Sequence, residues 1–352
     1  MKRVVLAITA CLLLLSVTVL VAGNWLWQRW QQPIVLPAEG YVLTVKSGDT
    51  LRGVAQELTE AGVLEDPWML RFYARLKALD DQIKRGEYLL HPPLTQSSLL
   101  RQLVDGDVVT YQVTIPEGLT LAQALAVLAR DPVLVPELTG ARDQRLLELA
   151  QGAATAEGLF LPETYRFERG DSDWQIMQRA HVALKQTLDA AWADRDAGLP
   201  YESPYEALVM ASIVERETGV PGERREIAGV FVRRIMKNMR LQTDPTVIYG
   251  LGEGFDGNLR RTHLRDDSNP YNTYRHKGLP PTPIALPGRA AIEAAMHPLP
   301  GETLFFVARG DGSHQFSITL EAHEEAVRKY QLSRRSDYRS SPPPSSDPNT
   351  NR

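Results

Sequence analysis

Cysteine is almost absent from this sequence of 352 residues, and its scarcity excludes several kinds of site. The single cysteine, Cys11, lies inside an apolar run, so neither an intrachain disulfide nor a cysteine-ligated zinc site can form. The seven histidines show no HExxH or similar spacing, which favours scattered structural histidines over a metal site. We therefore expect no metal and no cofactor.

Long tracts of basic charge are also missing. The formal net charge is −4, and the sequence has no long basic tract or aromatic-interleaved basic patch, which argues against a nucleic-acid partner. Hydrophobic residues make up 43% and charged residues 23%, the composition of a folded globular chain. At this length we expect two or three domains with cores of their own.

One long hydrophobic run lies near the N-terminus. Residues 4–23 read VVLAITACLLLLSVTVLVAG, about twenty apolar residues without a charge, which is the length that spans a bilayer as a helix. Tryptophans follow between residues 25 and 30 and suit the headgroup region. Lys2 and Arg3 predict a cytoplasmic N-terminus, although Arg29 weakens the charge asymmetry.

Two other interpretations of this run are weaker. A cleaved signal peptide has a shorter apolar core and a small-residue cleavage site, whereas Val21-Ala22-Gly23 offers small residues at only two of the three positions. Ile8-Thr9-Ala10-Cys11 matches a lipoprotein cleavage box, but the apolar run would then continue for about a dozen residues after the acylated cysteine. We therefore predict a retained single-pass anchor.

A strand–turn–helix pattern occurs twice after a short predicted linker at residues 31–40. The first copy runs from Tyr41 to Leu58, with a helix capped by Asp49 or Thr50, and the second covers residues 113–128. One supersecondary unit is therefore present twice. Placing Leu43 over Val113 aligns Thr44 with Thr114, Gly48 with Gly118, Thr50 with Thr120, Leu51 with Leu121 and Leu58 with Leu128.

The first copy resembles LysM modules, whose start has the form VKSGDTL found here at residues 45–51. LysM modules bind glycans that contain N-acetylglucosamine, so the resemblance implies contact with the bacterial cell wall. Strand–turn–helix is also a common fold element, and the residues alone leave glycan binding open. Residues 85–90 predict a strand that returns to the same small sheet.

From Thr155 onward the pattern changes to long helices separated by loops, with two late strands at about residues 303–308 and 314–318. The segment 241–287 is rich in Gly, Pro, Asn, Asp and Tyr, and its length indicates a functional loop region. The predicted class is α+β. The predicted segments are an N-terminal stub with a transmembrane helix (1–30), a LysM-like α/β subdomain (31–110), the second strand–turn–helix unit with its connection (111–154), a mixed α+β domain (155–333) and a disordered tail (334–352).

One helix in the large domain ends in two acids. Ser203 predicts its cap, and Glu206 predicts a capping box. Residues 207–214 are apolar nearly all round, which predicts a buried helix. Glu215 and Glu217 follow, roughly 200° apart around the axis.

Either acid is a candidate general acid. A carboxyl beside apolar side chains has a raised pKa and can hold a proton near neutral pH, which glycosidic cleavage requires. Either one can instead simply pair with Arg216, Arg224 or Arg225 at the helix end. Periodicity alone does not choose between the two acids.

Five further motifs follow one another in a fixed order: Met210-Ala-Ser-Ile-Val-Glu-Arg-Glu-Thr218, Met239-Arg-Leu-Gln-Thr-Asp-Pro-Thr-Val-Ile-Tyr249, Pro270-Tyr-Asn-Thr-Tyr274, Gly278-Leu-Pro-Pro281 and Pro287-Gly288. In these motifs the sequence resembles the endolytic murein transglycosylase family, also called the YceG-like family, and the likeness covers the whole body from the anchor to about Leu332. It departs at Leu286, in an otherwise familiar Ile-Ala-x-Pro-Gly turn, and the tail has no counterpart.

The resemblance implies that Glu217 is the catalytic acid, in an inner-membrane enzyme whose body lies in the bacterial periplasm. It implies cleavage of peptidoglycan between N-acetylmuramic acid and N-acetylglucosamine with a 1,6-anhydro product, and work near peptidoglycan synthases that ends nascent strands. It further implies a sugar-binding groove, for which amides, hydroxyls and aromatic faces are suited. The groove residues would be Gln242, Thr243, Asp244, Thr246, Tyr249, Tyr271, Asn272 and Tyr274.

Three other functions are compatible with parts of the sequence. One is a non-catalytic wall-binding protein that works through the LysM-like unit. Another is an inverting hydrolase that uses water and a second carboxylate such as Asp244. The third is a pyridoxal-phosphate lyase, but Lys237 lies on a charged helix face without a glycine-rich phosphate loop.

Overall fold

The structure, a computed structural model, describes residues 2–150, 153 and 155–332. The fold is mixed α+β, as predicted, and the chain forms two compact units. The first unit extends to Tyr111 and includes Arg166–Asp171, and the second comprises Gln112–Tyr165 and the chain from Ser172. The five predicted segments stay a prediction, and the predicted tail lies outside the described residues.

Helix α1 (Lys2–Trp30) contains the apolar run. Its stretch Ile8–Trp30 has 23 residues and is long and apolar enough to cross a bilayer. The side chains of residues 12–21 are exposed. At the far end Trp30 is 3% exposed and stacks on Tyr73, with ring centroids 4.2 Å apart. The helix therefore ends inside the core of the first unit.

The first unit is built on short antiparallel strand pairs. Strand β2 pairs with β3, so that Leu43 lies opposite Tyr88 and both are buried, which confirms the predicted return strand. Strand β1 pairs with β4, and Ile34 joins the core. Its elements are β1 (Pro33–Ile34), β2 (Tyr41–Val45), α2 (Leu51–Glu60), α3 (Pro67–Leu76), β3 (Gly86–Leu90), β4 (Leu94–Thr95) and α4 (Gln96–Asp105).

The predicted linker at residues 31–40 is therefore wrong in part. Pro33 and Pro37 suggest a connection without structure, but the β1–β4 pairing fixes its first half. An apolar residue inside the segment, Ile34, is the reason, because burying its side chain stabilises the fold by roughly 1.5–3 kcal/mol.

The second unit is mostly helical and contains the strand pair β7–β8. The long helices predicted after residue 155 are confirmed. The chain passes from one unit to the other within the strands β5 (Thr110–Thr114) and β6 (Thr164–Glu168). The other elements of the second unit are α5 (Leu121–Leu128), α6 (Gln144–Leu149), α7 (Asp173–Ala193), α8 (Pro204–Glu217), α9 (Arg224–Met236), α10 (Asp244–Leu251), α11 (Arg261–Leu264), α12 (Arg289–Met296), β7 (Phe305–Ala308), β8 (His314–Ser317) and α13 (Leu320–Val327).

Helix α8 lies at the centre of the second unit. All residues from Ala207 to Val214 are buried, and the helix packs against α7, α9, α10 and α12. An all-round apolar helix can bury every face only when it is surrounded in this way, so the predicted buried helix is confirmed. Because α8 is packed on all sides, the two acids in its last turn, Glu215 and Glu217, have fixed positions.

Candidate active site

Helix α8 has a well-defined start and end. Ser203 caps it by accepting a hydrogen bond from the Glu206 N–H at 3.3 Å. The predicted capping box is wrong in its other half, because the Glu206 carboxylate accepts from the Glu202 N–H at 2.7 Å instead of from Ser203. At the C-terminal end Thr218 adopts an extended backbone with φ −141°, so Glu217 is the last helical residue.

Glu215 points into the protein. Its side chain is 6% exposed, accepts a hydrogen bond from the Gly288 N–H at 2.9 Å and lies 3.6 Å from the Arg224 guanidinium. Burial raises the pKa of Glu215. Because both partners are protein groups, this carboxylate fastens the start of α12 to the end of α8.

Glu217 faces a different space, as its angular separation from Glu215 predicts. It lines a cavity of about 510 Å³, and its Oε1 accepts a hydrogen bond from the Thr243 hydroxyl. Burial raises the pKa of Glu217 to about 7; the neighbouring Asp244 adds to the rise, while the Thr243 hydrogen bond and Arg234 oppose it. A carboxyl with this pKa can both give and take a proton near neutral pH.

Three of the predicted groove residues share this cavity: Gln242, Asp244 and Tyr274. The Tyr274 hydroxyl donates to Asp244 Oδ1 at 2.7 Å, which holds both side chains at the rim. Gln242 is exposed and has φ +53°, a left-handed conformation that is strained for a residue with a Cβ. Strain of this kind is common at functional sites.

Two of the predicted groove residues, Thr243 and Thr246, are buried beside the cavity and do not line it. Thr243 is 2% exposed and donates to Glu217. Its backbone N–H donates to Thr273 Oγ1 at 3.1 Å, and its carbonyl accepts from the Thr246 hydroxyl at 2.8 Å. Thr246 is fully buried. Thr243 therefore contacts the acid directly, while Thr246 holds Thr243.

The other three predicted groove residues do not line this cavity. Tyr249 and Tyr271 pack edge to face with centroids 4.9 Å apart, and the Tyr271 hydroxyl lies 2.9 Å from Thr282 Oγ1. Asn272 is fully buried, and its amide donates to the backbone carbonyl of Asp266 at 2.7 Å. As placed, these side chains shape the loop, and their predicted contact with sugar stays a prediction.

The sequence did not predict the remaining residues that line the cavity beside Glu217. Arg234 is 7% exposed, donates to the carbonyls of Leu304 and Leu241 at 2.7 Å each, and lies 5.2 Å from the Phe305 ring centroid. His323 stacks on the same ring at 5.2 Å. No spacing in the sequence links these residues. The wall is completed by Leu264, Phe306, Val307, Ala308, His314, Leu320, Val327 and Gln331.

A second buried acid also escaped sequence analysis. Glu157 is 5% exposed, and burial raises its pKa to about 7. Its Oε1 accepts from the Leu121 N–H at 2.8 Å and its Oε2 from the Tyr249 hydroxyl at 3.2 Å. Unlike Glu217, it has a protein donor on each oxygen and does not line the cavity, so its position is that of a structural link.

Comparison with known proteins agrees with this architecture. The model of the YceG-like family matches residues 43–329. The endolytic murein transglycosylase of Bacillus subtilis (strain 168) is 30% identical over 307 residues, covering 82% of this chain and 84% of the relative. The endolytic murein transglycosylase of Streptococcus pneumoniae serotype 2 is 26% identical over 356 residues, covering 90% of this chain and 64% of the relative.

Among solved structures, a YceG-like protein from Listeria monocytogenes superposes with a TM-score of 0.53 and 29% identity, covering 82% of this chain and 99% of that one. The chain belongs to the YceG-like family. The predicted family is thus confirmed, and with it the prediction of an enzyme of the lytic transglycosylase class.

Proposed function

We propose that the protein cleaves peptidoglycan strands internally, between N-acetylmuramic acid and N-acetylglucosamine, and leaves 1,6-anhydro ends. The observation that carries the proposal is Glu217, whose carboxyl lines a 510 Å³ cavity and has a pKa raised to about 7. The names of the relatives support peptidoglycan as the substrate.

The first step is protonation of the leaving group. Because Thr243 donates to Oε1 of Glu217, the proton of the neutral carboxyl belongs on Oε2. From there it passes to the glycosidic oxygen as the bond to the muramic acid C1 breaks. Positive charge develops on that sugar, and the newly formed Glu217 carboxylate stabilises it.

The second step closes the new ring. The Glu217 carboxylate takes the proton of the muramic acid C6 hydroxyl, and the C6 oxygen bonds to C1. The proton given in the first step is thus replaced in the second, and neither water nor a second carboxylate is consumed. Gln242, Asp244 and Tyr274 would hold the sugar hydroxyls at the cavity rim.

Asp244 favours one alternative, an inverting hydrolase. It shares the cavity with Glu217 and could activate water as a second carboxylate. Its Oδ1 already accepts from Tyr274, which suits a binding role better than that of a free base. Hydrolysis would leave reducing ends in place of anhydro ends, so the products separate the two reactions.

The first unit supports contact with the wall. A groove of about 800 Å³ is lined by the β2–α2 turn at Asp49–Arg52, by Trp68 and Phe72 on α3, and by Asp80 and Asp81. Aromatic faces with neighbouring carboxylates are suited to sugars. We propose that this LysM-like unit contacts glycan while the second unit cuts it.

Helix α1 would anchor the protein in the inner membrane. Lys2 and Arg3 favour a cytoplasmic N-terminus, and the exposed Trp25 and Trp27 suit the opposite headgroup layer. Both units would then lie in the periplasm. There the enzyme would work near peptidoglycan synthases and end nascent strands.

Mass spectrometry of the products tests the reaction. Full-length protein in detergent is incubated with purified glycan strands, beside Glu217→Gln and Asp244→Asn. We expect anhydro-ended fragments from the parent and a loss of about 10³-fold in rate for Glu217→Gln, whose amide cannot donate a catalytic proton. Thermal unfolding midpoints control for misfolding.

Two other outcomes would contradict the proposed reaction. Reducing-end products that vanish with Asp244→Asn would replace the transglycosylase with the hydrolase. Binding of strands without cleavage by any of the proteins would favour the wall-binding module.

A further inference from the structure

His314, at the start of β8, lines the cavity that holds Glu217 but has no part in the proposed proton transfers. The residue is 8% exposed, and its ring meets Phe306 edge-on with centroids 5.4 Å apart. Ring atom Nδ1 lies 2.8 Å from Glu223 Oε2. Within the described residues, Nε2 has no hydrogen-bond partner. An unpaired ring nitrogen of a largely buried side chain thus remains for a ligand in the cavity.

Glu223 decides which ring nitrogen carries the proton. Its Oε1 accepts from the backbone N–H of His314 at 2.8 Å, and its Oε2 accepts from the Thr218 hydroxyl at 3.2 Å and faces Nδ1. An ionised carboxylate only accepts hydrogen bonds, so Nδ1 must be the protonated nitrogen. In the neutral ring the lone pair is then on Nε2.

We propose that His314 Nε2 accepts a hydrogen bond from an N–H or O–H group of the glycan in the cavity, and that Glu223 is a positioning residue that fixes the required tautomer. The inference rests on the proposed function. The sugars of peptidoglycan offer both kinds of donor, as acetamido N–H groups and hydroxyls. A sugar that displaces water from the cavity would leave this acceptor without a partner unless one of its own donors meets Nε2, so a donor at this position favours binding.

This hydrogen bond would be present before and during bond cleavage. An interaction made equally in the ground state and the transition state lowers KM and leaves kcat unchanged. Loss of Nε2 should therefore raise KM alone, by about 3- to 10-fold for one hydrogen bond. Misplacement of Glu217 would instead lower kcat, which separates the binding role from a structural one.

The decisive variant is His314→Asn in the full-length protein. The Asn amide nitrogen lies near the position of Nδ1 and can still donate to Glu223, but nothing replaces Nε2. The matched control is His297→Asn: His297 also pairs through Nδ1 with a carboxylate, Asp196 at 2.9 Å, but does not line the cavity. We expect the KM for purified glycan strands to rise only in His314→Asn, with kcat within about twofold of the parent.

Glu223→Gln tests the tautomer. The backbone N–H of His314 would keep the amide oxygen, so the amide NH₂ would face Nδ1 and force the proton onto Nε2. Nitrogen-15 NMR of histidine-labelled protein should show an Nδ1–H ring in the parent, assigned by its absence in His314→Asn, and an Nε2–H ring in Glu223→Gln. KM should rise in this variant as well.

Each outcome decides a different claim. A parent that releases no anhydro-ended fragments overturns the proposed function and this inference together. A parent that cleaves, beside a His314→Asn protein with unchanged KM or with a loss in kcat alone, overturns only the binding role of His314. An Nε2–H ring in the parent overturns the positioning role of Glu223.

Discussion

The two copies of the strand–turn–helix pattern have almost the same local geometry and different surroundings. Gly48 and Gly118 both adopt left-handed backbones, at φ +90° and +75°. Thr50 and Thr120 both cap the following helix, accepting from backbone N–H groups at 3.2 and 3.3 Å. The aligned leucines of both helices are buried. The predicted repeat is therefore confirmed as a structural unit.

The turns differ in what lies beside them. A Cβ added at Gly48 would meet nothing within 4 Å, whereas one at Gly118 would lie 3.7 Å from Glu215. The Gly118 carbonyl accepts from Arg216 at 2.9 Å, and its N–H donates to the Leu286 carbonyl at 2.9 Å. The first turn is thus free to line a groove, and the second supports the end of α8 beside the proposed acid. Local sequence determines the unit, and packing determines its use.

The largest expected difference between the copies concerns pH. Glu157 accepts from the N–H at the start of the second helix, and its pKa is raised from 4.5 to about 7. The folded unit therefore keeps a proton that the unfolded chain has released, so stability falls between about pH 4.5 and 7, by about 3 kcal/mol for this group. Glu157→Gln should remove that part of the pH dependence and leave the contribution of Glu217.

Urea unfolding at pH 5 and pH 8 measures this effect. Relative to the parent, Glu157→Gln should gain about 3 kcal/mol on going from the lower to the higher pH. Glu57→Gln, an exposed change on α2 of the first copy, is the matched control and should keep the slope of the parent. A parental slope in Glu157→Gln would mean that the second copy does not depend on this buried carboxyl.

The next effect comes from the paired glycines. Alanine at either position forces a side chain into the left-handed region, which costs about 1–2 kcal/mol in both copies. Only Gly118→Ala should also lower kcat, by roughly tenfold, because the turn that shifts holds Arg216 next to Glu217. Unfolding midpoints and turnover of both variants are compared. Equal turnover of the two variants would contradict the conclusion that only the Gly118 turn supports the end of α8.

The smallest effect concerns the helix caps. Thr50→Ala should cost about 1 kcal/mol, because its hydroxyl oxygen is the acceptor at the start of α2. Thr120→Ala should cost only about 0.5 kcal/mol, since Gln123 and Glu157 satisfy neighbouring groups at the start of α5. Denaturant midpoints of the two variants give the ranking. The reverse ranking would show that these extra contacts do not support the second cap.

Helix ends and side-chain directions depend mainly on residues close together in the sequence, so they can be predicted from it. The run of apolar residues and the cap at Ser203 predict α8 to within one residue of its end, and helical periodicity predicts that Glu215 and Glu217 face different ways. Which of the two acids faces a cavity was not readable from periodicity. That difference depends on what other segments place around the helix end, and the family resemblance, not the residues alone, selected Glu217.

The far wall of the cavity could not be predicted for the same reason. Arg234, Phe305 and His323 come from α9, β7 and α13, and their meeting depends on tertiary packing that no local pattern encodes. The buried partners of Glu157 are likewise remote, since Tyr249 lies 92 residues away in sequence. Sequence periodicity carries information over a few turns, whereas a site assembled across a fold requires the fold itself.

The burial of Trp30 limits how far the first unit can move away from the end of α1. A flexible linker of ten residues would let an attached domain move over about 16–19 Å. Here the first unit instead packs directly on the end of α1. With α1 in a bilayer, this unit would sit at a fixed height just outside the headgroups and would turn only as the anchor turns. Any ligand of this unit would then have to lie next to the membrane surface.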